Sequence, residues 1–272
     1  MFVTKSVSRF VHISVLLSPI LGLRTHPAVA GSFLMNEGEG QAIVSTRMGD
    51  SVLAFDSSGF VAAAPRYRKI ETSLYLEYGL TRDLTLIMSP ALRDISLAPT
   101  PPATETIKAQ GIGTLEGGAR WRLANFDTTT VSFQALVRTP MKSDPALPVE
   151  NRPQTQLRLG LGAPAELFGR DGFIDISTAW IKRAEAWPDE LRFDLTLGFW
   201  QTPERLLLVQ YYNSLFPGAH ANGAVPRTHK IETSTVYKLG PDWSLQMGSF
   251  LSYGGLLTRR ERGSVIAVWR RF

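Results

Sequence analysis

The sequence predicts an all-β chain: a transmembrane antiparallel β-barrel of about twelve strands, with short periplasmic turns and longer extracellular loops. Three observations predict it. The chain opens with an export signal, its apolar and polar residues alternate with period two in segment after segment, and its connections alternate between short and long. Composition fits. The chain has 272 residues, 44% hydrophobic and 19% charged, with no cysteine. No run of about 20 apolar residues follows the N-terminus, which excludes a helical membrane bundle. Zero cysteines exclude disulfide frameworks, thiolate metal sites and cysteine nucleophiles.

Residues 1–30 read as a secretory signal peptide. Lys5 and Arg9 form the basic start, Phe10 to Leu23 an apolar stretch too short to span a bilayer, and Ala28-Val29-Ala30 the small-residue cleavage pattern before Gly31. Residues 31–272 then form one barrel domain. Of the 29 basic and 24 acidic residues, the signal removes three bases and no acid. The mature net charge is near neutral, and export argues against a nucleic-acid partner.

A first strand segment covers Ala42 to Leu53. In the second, Ile70, Thr72, Leu74, Leu76, Tyr78 and Leu80 share one face and Glu71, Ser73, Tyr75, Glu77 and Gly79 the other. A helix would place Glu71 and Glu77 within the apolar stripe, so the strand reading is preferred. Leu84 to Leu97 follows. Leu115, Ala119, Trp121 and Leu123 oppose Glu116, Gly118, Arg120 and Arg122; Val131, Phe133, Ala135 and Val137 oppose Ser132, Gln134 and Arg138. Leu157, Leu159 and Leu161 oppose Gln156, Arg158 and Gly160; Ile174, Ile176, Thr178 and Trp180 oppose Asp175, Ser177 and Ala179. Leu191 to Phe199 places Arg192 and Asp194 on its polar face. Leu206 to Phe216, Lys230 to Leu239, Trp243 to Tyr253 and Gly263 to Phe272 complete the set. Each is near the ~10 residues that a tilted strand needs to cross a bilayer.

Short connections fall at Gly79 to Asp83, Ala124 to Asp127, Phe168 to Gly172, Thr202 to Glu204 and Gly240 to Asp242. Long ones cover Phe55 to Pro65, Ala98 to Gln110, Pro140 to Pro153 and Pro217 to Arg227. Large apolar faces tipped by Tyr78, Trp121, Trp180, Phe199, Trp243 and Tyr253 suit a lipid-facing wall with aromatic girdles, against a soluble barrel with the same residues in its core. Phe272, ending an alternating strand, matches an outer-membrane assembly signal, with Arg270 departing from its usual pattern.

Gly38-Glu39-Gly40-Gln41, Lys69 to Thr81 and Gly111 to Leu123 together resemble the outer-membrane family named for the meta-cleavage pathway of phenol degradation. The resemblance covers roughly the first half of the mature barrel and implies a channel or transporter, with aromatic or hydrophobic compounds among its solutes. It carries no catalytic residue across. Lys69-Ile70-Glu71-Thr72-Ser73 recurs as Lys230-Ile231-Glu232-Thr233-Ser234, a shared hairpin solution.

Chemistry is sparse. Gly111-x-Gly113 lacks the third glycine and following helix of a dinucleotide loop. His220, beside Asn222, and His229 are the histidines left after processing, with Ser214 and Ser234 as neighbouring serines; no triad spacing marks them. No metal site or cofactor is expected. The candidates are inward charges: Arg120, Arg122, Arg138 and Arg158 on one arc, with Arg192 further round, facing Glu71, Glu77, Glu116, Asp175, Asp194 and Glu232. Opposed arcs would set up a transverse field that selects solutes, whereas side-by-side pairs would fill the lumen. The expected function is passive passage of small solutes across the outer membrane. Outer-membrane lipids and the assembly machinery are the expected partners. The alternatives are a lipid-acting barrel enzyme and a plugged structural or adhesive barrel.

Overall fold

A computed structural model describes residues 31–99, 105–140, 153–183, 188–218 and 225–272. The signal segment, His220, Asn222 and most of the loop after Pro140 lie outside the described residues.

Thirteen strands are described: β1 (Gly40–Phe55), β2 (Val61–Thr81), β3 (Leu84–Leu97), β4 (Ile107–Phe126), β5 (Thr129–Pro140), β6 (Gln154–Leu167) and β7 (Arg170–Arg183). They continue with β8 (Glu190–Thr202), β9 (Arg205–Leu215), β10 (Arg227–Lys238), β11 (Trp243–Leu256), the two-residue β12 (Thr258–Arg259) and β13 (Arg262–Arg271). Twelve of them form the wall; β12 is a rung beside the end of β1. Each wall strand pairs antiparallel with its neighbour in sequence, and β1 closes the cylinder by pairing with both β2 and β13. Val44 stands opposite Val268 on one side and Leu74 on the other. Closure leaves no sheet edge, which hydrocarbon requires, because an unpaired backbone group there costs several kcal/mol.

The short turns and the described ends of the chain share one rim. Gly40 donates its N–H to the Phe272 carbonyl at 2.7 Å, and Phe272 returns a bond to Gly40 at 3.0 Å. Phe168 and Gly169 both take positive φ, as a two-residue hairpin turn demands. The strands run further toward the opposite rim than their alternation suggests. β2 begins at Val61, so the expected loop from Phe55 to Pro65 shrinks to Asp56–Phe60, held by the Asp56 carboxylate accepting the N–H groups of Ser58 and Phe60. β4 begins at Ile107 rather than beyond Gln110. Pro65 hid this extension; it lies above the end of β3, where its missing N–H breaks no ladder with that strand.

Alternation has the expected sense. Val44, Met48, Leu86, Leu92, Leu123, Leu159 and Ile266 are exposed on the outer wall, while Glu77, Arg120, Gln134, Asp175, Thr196 and Glu232 are buried on the inner one. Soluble monomers rarely expose apolar patches beyond a few hundred Å². Here exposed apolar residues run round the whole barrel, the pattern of a bilayer-spanning wall. Tyr78, Trp121, Trp243 and Phe272 ring the short-turn end, and Trp180, Phe193 and Tyr253 the other. Leu159→Arg, midway along β6, should cost about 2–4 kcal/mol in urea unfolding from lipid vesicles. An unchanged midpoint would place Leu159 away from lipid.

Candidate functional site

The lumen has two zones. Nearest the short turns it holds an apolar cluster: Phe173, Leu206, Leu208, Val236, Ala267 and Trp269 gather with Ile43, Phe33, Tyr75 and Trp200 pack against them, and Gln41, Glu77, Thr85 and Ser132 are buried at the same end. The polar inner faces read from the alternation therefore do not line this zone throughout. The missed signal lies in Leu206-Leu207-Leu208-Val209 and Val265-Ile266-Ala267-Val268-Trp269, where alternation fails because both faces of the strand are buried or apolar.

The segment ahead of β1 lies inside this zone. Phe33 meets Phe173 edge-on with ring centroids 6.1 Å apart. Met35 donates its N–H to Thr85 Oγ1 at 3.0 Å, and the backbone near Asn36 to Glu39 bonds Gly79 on β2. Two glycines of β6 make the seat: a Cβ at Gly160 would fall 2.2 Å from Ser32 Oγ, and one at Gly162 would strike the Phe33 ring. Residues 31–35 are thus threaded into the barrel and held by the wall, while Asn36 to Glu39 are exposed and bond Gly79 at the short-turn rim.

Arg120 is the principal clasp. It is 2% exposed, pairs with Glu77 at 2.8 Å, and donates to Gln134 Oε1, to the Tyr75 hydroxyl and, from Nη1 at 2.7 Å, to the Phe33 carbonyl. Tyr75 donates its hydroxyl to Glu77 at 2.6 Å. A guanidinium suits this place because its fixed fork of donors can serve several acceptors at once.

Beyond the clasp lies a cavity of about 700 Å³, reaching from the level of Gly31 and Trp269 to Phe216 and Glu261 at the loop rim. Its charges pair along the wall rather than face one another across it. Arg138 binds Glu116 on the adjacent strand at 2.8 Å. Arg158 binds Asp194 at 2.8 Å and donates to Ser177. Arg192 binds Glu190 at 2.8 Å; Glu190 also pairs with Arg183 and accepts from Ser214. Arg93 and Lys69 hold Glu71. Arg47 reaches from β1 past β13 and β11 to Glu232 on β10, at 2.8 Å. The opposed arcs of the sequence reading are therefore replaced by a ring of neutralised couples.

Two candidates sit elsewhere. Arg122 approaches Asp83 at the β2–β3 turn, 3.4 Å away, outside the cavity. Glu77 lies beneath the cavity, sealed against Arg120. Asp175 faces the inserted segment and accepts the Ser32 N–H. Sequence reading missed Arg47, Lys230 and Glu190, because their partners come from strands far apart in the chain or outside the clearest alternation.

Among the described residues, those weighed for hydrolysis do not converge. His229 bonds Tyr211 through Nδ1 at 2.9 Å, beside Tyr253. Ser214 faces the cavity on Glu190, and Ser234 accepts from Gln246. No group of three or more potential ligand residues that could hold a metal ion occurs among the described residues.

By sequence, no family model and no curated protein matches the chain. By fold it is similar to an outer membrane channel from Pseudomonas putida F1, with TM-score 0.70 and 16% identity over 90% of this chain and 99% of that one. It is also similar to the translocator domain of autotransporter NalP from Neisseria meningitidis, with TM-score 0.51 and 11% identity over 87% and 90% of the two chains. The NanC porin gives TM-score 0.51 and 12% identity over 83% and 98%. The chain is a transmembrane β-barrel with the architecture of outer-membrane proteins.

Arg120→Ala leaves Glu77 buried without its cation and should cost about 3–5 kcal/mol in vesicle unfolding. Arg120→Met with Glu77→Leu should recover much of that loss. Equal costs for the single and double variants would contradict a mutually dependent pair.

Proposed function

We propose that this protein is an outer-membrane channel for small solutes, gated from the periplasmic side by residues 31–39. The observation that carries the reading is the junction of a charge-lined cavity with an inserted segment that the wall holds by hydrogen bonds and ring contacts rather than by covalent closure. A barrel of about twelve strands lies between those filled by their own side chains and those with wide aqueous pores, so an added segment can decide its conductance. The similarity to an outer membrane channel supports the same direction.

The neutralised couples suit solutes without large net charge, since a bare charge would have to displace an existing partner. The apolar floor, with Leu208, Val265 and Trp269 reaching the cavity, suits a solute with a hydrophobic or aromatic part. Membership in the phenol meta-cleavage family, suggested by Lys69 to Thr81 and Gly111 to Leu123, agrees with such a solute. Outer-membrane lipids would contact the apolar belt, and Phe272, exposed on the outer wall at the closing strand, would be read by the assembly machinery. The second reading is a permanently plugged structural barrel, which the apolar cluster around Phe33 favours.

Planar-bilayer conductance separates the two. Deletion of residues 31–39 should raise single-channel conductance several-fold over a narrow wild-type level, and liposomes should pass small neutral solutes. A silent barrel in both forms would remove the channel reading. Within a conducting pore, Arg158→Ala frees Asp194 and should move the reversal potential toward cations, while Asp194→Asn should move it toward anions. Identical potentials would show that these couples do not border the ion path.

A further inference from the structure

Asp175 is a buried lumen carboxylate held by the backbone of the inserted segment. It is 5% exposed on the inner face of β7 and accepts the backbone N–H of Ser32. None of the ion pairs among the described residues includes it. The guanidiniums of Arg120 and Arg158 act on it only electrostatically, each being paired directly with another carboxylate, Glu77 and Asp194. An ionised carboxylate in such a place calls for a compensating cation.

Gly31 lies against it. A Cβ built on Gly31 would fall 2.5 Å from Asp175 Oδ2 and 2.8 Å from its Cγ, so residue 31 has no room for a side chain and its backbone passes beside the carboxylate. The sequence places a small-residue cleavage pattern, Ala28-Val29-Ala30, immediately before this glycine.

We propose that processing creates the missing cation: the α-ammonium of Gly31, freed by cleavage after Ala30, pairs with Asp175 inside the barrel. Hydrolysis by a signal peptidase adds one water across the Ala30–Gly31 bond. The Ala30 carbonyl becomes a carboxylate on the departing peptide, and the Gly31 nitrogen becomes an amine. With an ordinary pKa near 8, that amine takes up a proton at neutral pH. The uncleaved chain has only an uncharged amide at this place, so the ion pair belongs to the mature protein alone. Processing would thereby anchor the start of the inserted segment at the point where Phe33 and Arg120 already hold its continuation. This inference does not depend on whether the barrel conducts.

The test uses full-length protein isolated from outer membranes. N-terminal sequencing should read Gly31-Ser32-Phe33; another start overturns the proposal. The folded protein is then treated with an amine-reactive ester at neutral pH, and the N-terminal peptide is quantified by mass spectrometry against urea-unfolded protein. The Gly31 amine should react about tenfold or more slowly when folded, and Asp175→Asn should restore most of the rate. Equal rates in folded and unfolded wild type would overturn it. Should Asp175→Asn not fold, insertion of Ser-Gly between Ala30 and Gly31 serves instead. That change moves the amine off Asp175 and should make it label at the unfolded rate, whereas continued slow labelling would refute the pairing.

Discussion

Hydrocarbon offers no hydrogen-bond partner to a peptide group, and the rest of this structure follows from that constraint. Every strand must be paired on both sides, so β1 has to meet both β2 and β13. Once the sheet is closed, period two divides each strand between lipid and lumen. The outer residues need only be apolar. The inner ones must be satisfied within a confined space, and this protein does so by coupling charges on strands near one another, as in Arg138 with Glu116 and Arg158 with Asp194.

The wall was legible in the sequence because its signal is local. Leu157, Leu159 and Leu161 against Gln156, Arg158 and Gly160 state both the strand and its orientation, and the turn at Phe168 and Gly169 marks its end. The lumen contents were not legible, because they depend on closure. Nothing near Arg47 indicates that Glu232 will stand beside it, since only the β1–β13 pairing brings β1 to that side of the barrel. Arg122 shares a strand face with Arg120 but lies two residues nearer the turn, and that displacement takes it from the lumen to Asp83. The apolar floor was visible only as broken alternation at Leu206 to Val209. In the sequence Gly160 is one more small residue on a polar face, and only the inserted segment shows why it and Gly162 are glycines, with Ser32 and Phe33 in the space above them.

These features combine into one arrangement of fixed and displaceable parts. The wall is a continuous ladder and is hard to move. Residues 31–39 are held by separate bonds to Arg120, Thr85, Asp175 and Gly79, each individually modest against the closure of the sheet. The cavity beyond them is polar and charge-compensated, with a hydrophobic floor. A solute entering from the loop rim would meet paired charges first and the clasp last.

Lipid and lumen alternate residue by residue around a closed wall. The chain has no cysteine, so single cysteines report this directly. In protein reconstituted into vesicles, cysteines replacing Gln156 and Gln210 should react with a water-soluble maleimide. Those replacing Leu157 and Val209 should be protected from it, and a fluorophore attached there should be quenched from the lipid phase. The reverse pattern, or equal reactivity at neighbouring positions, would contradict the account.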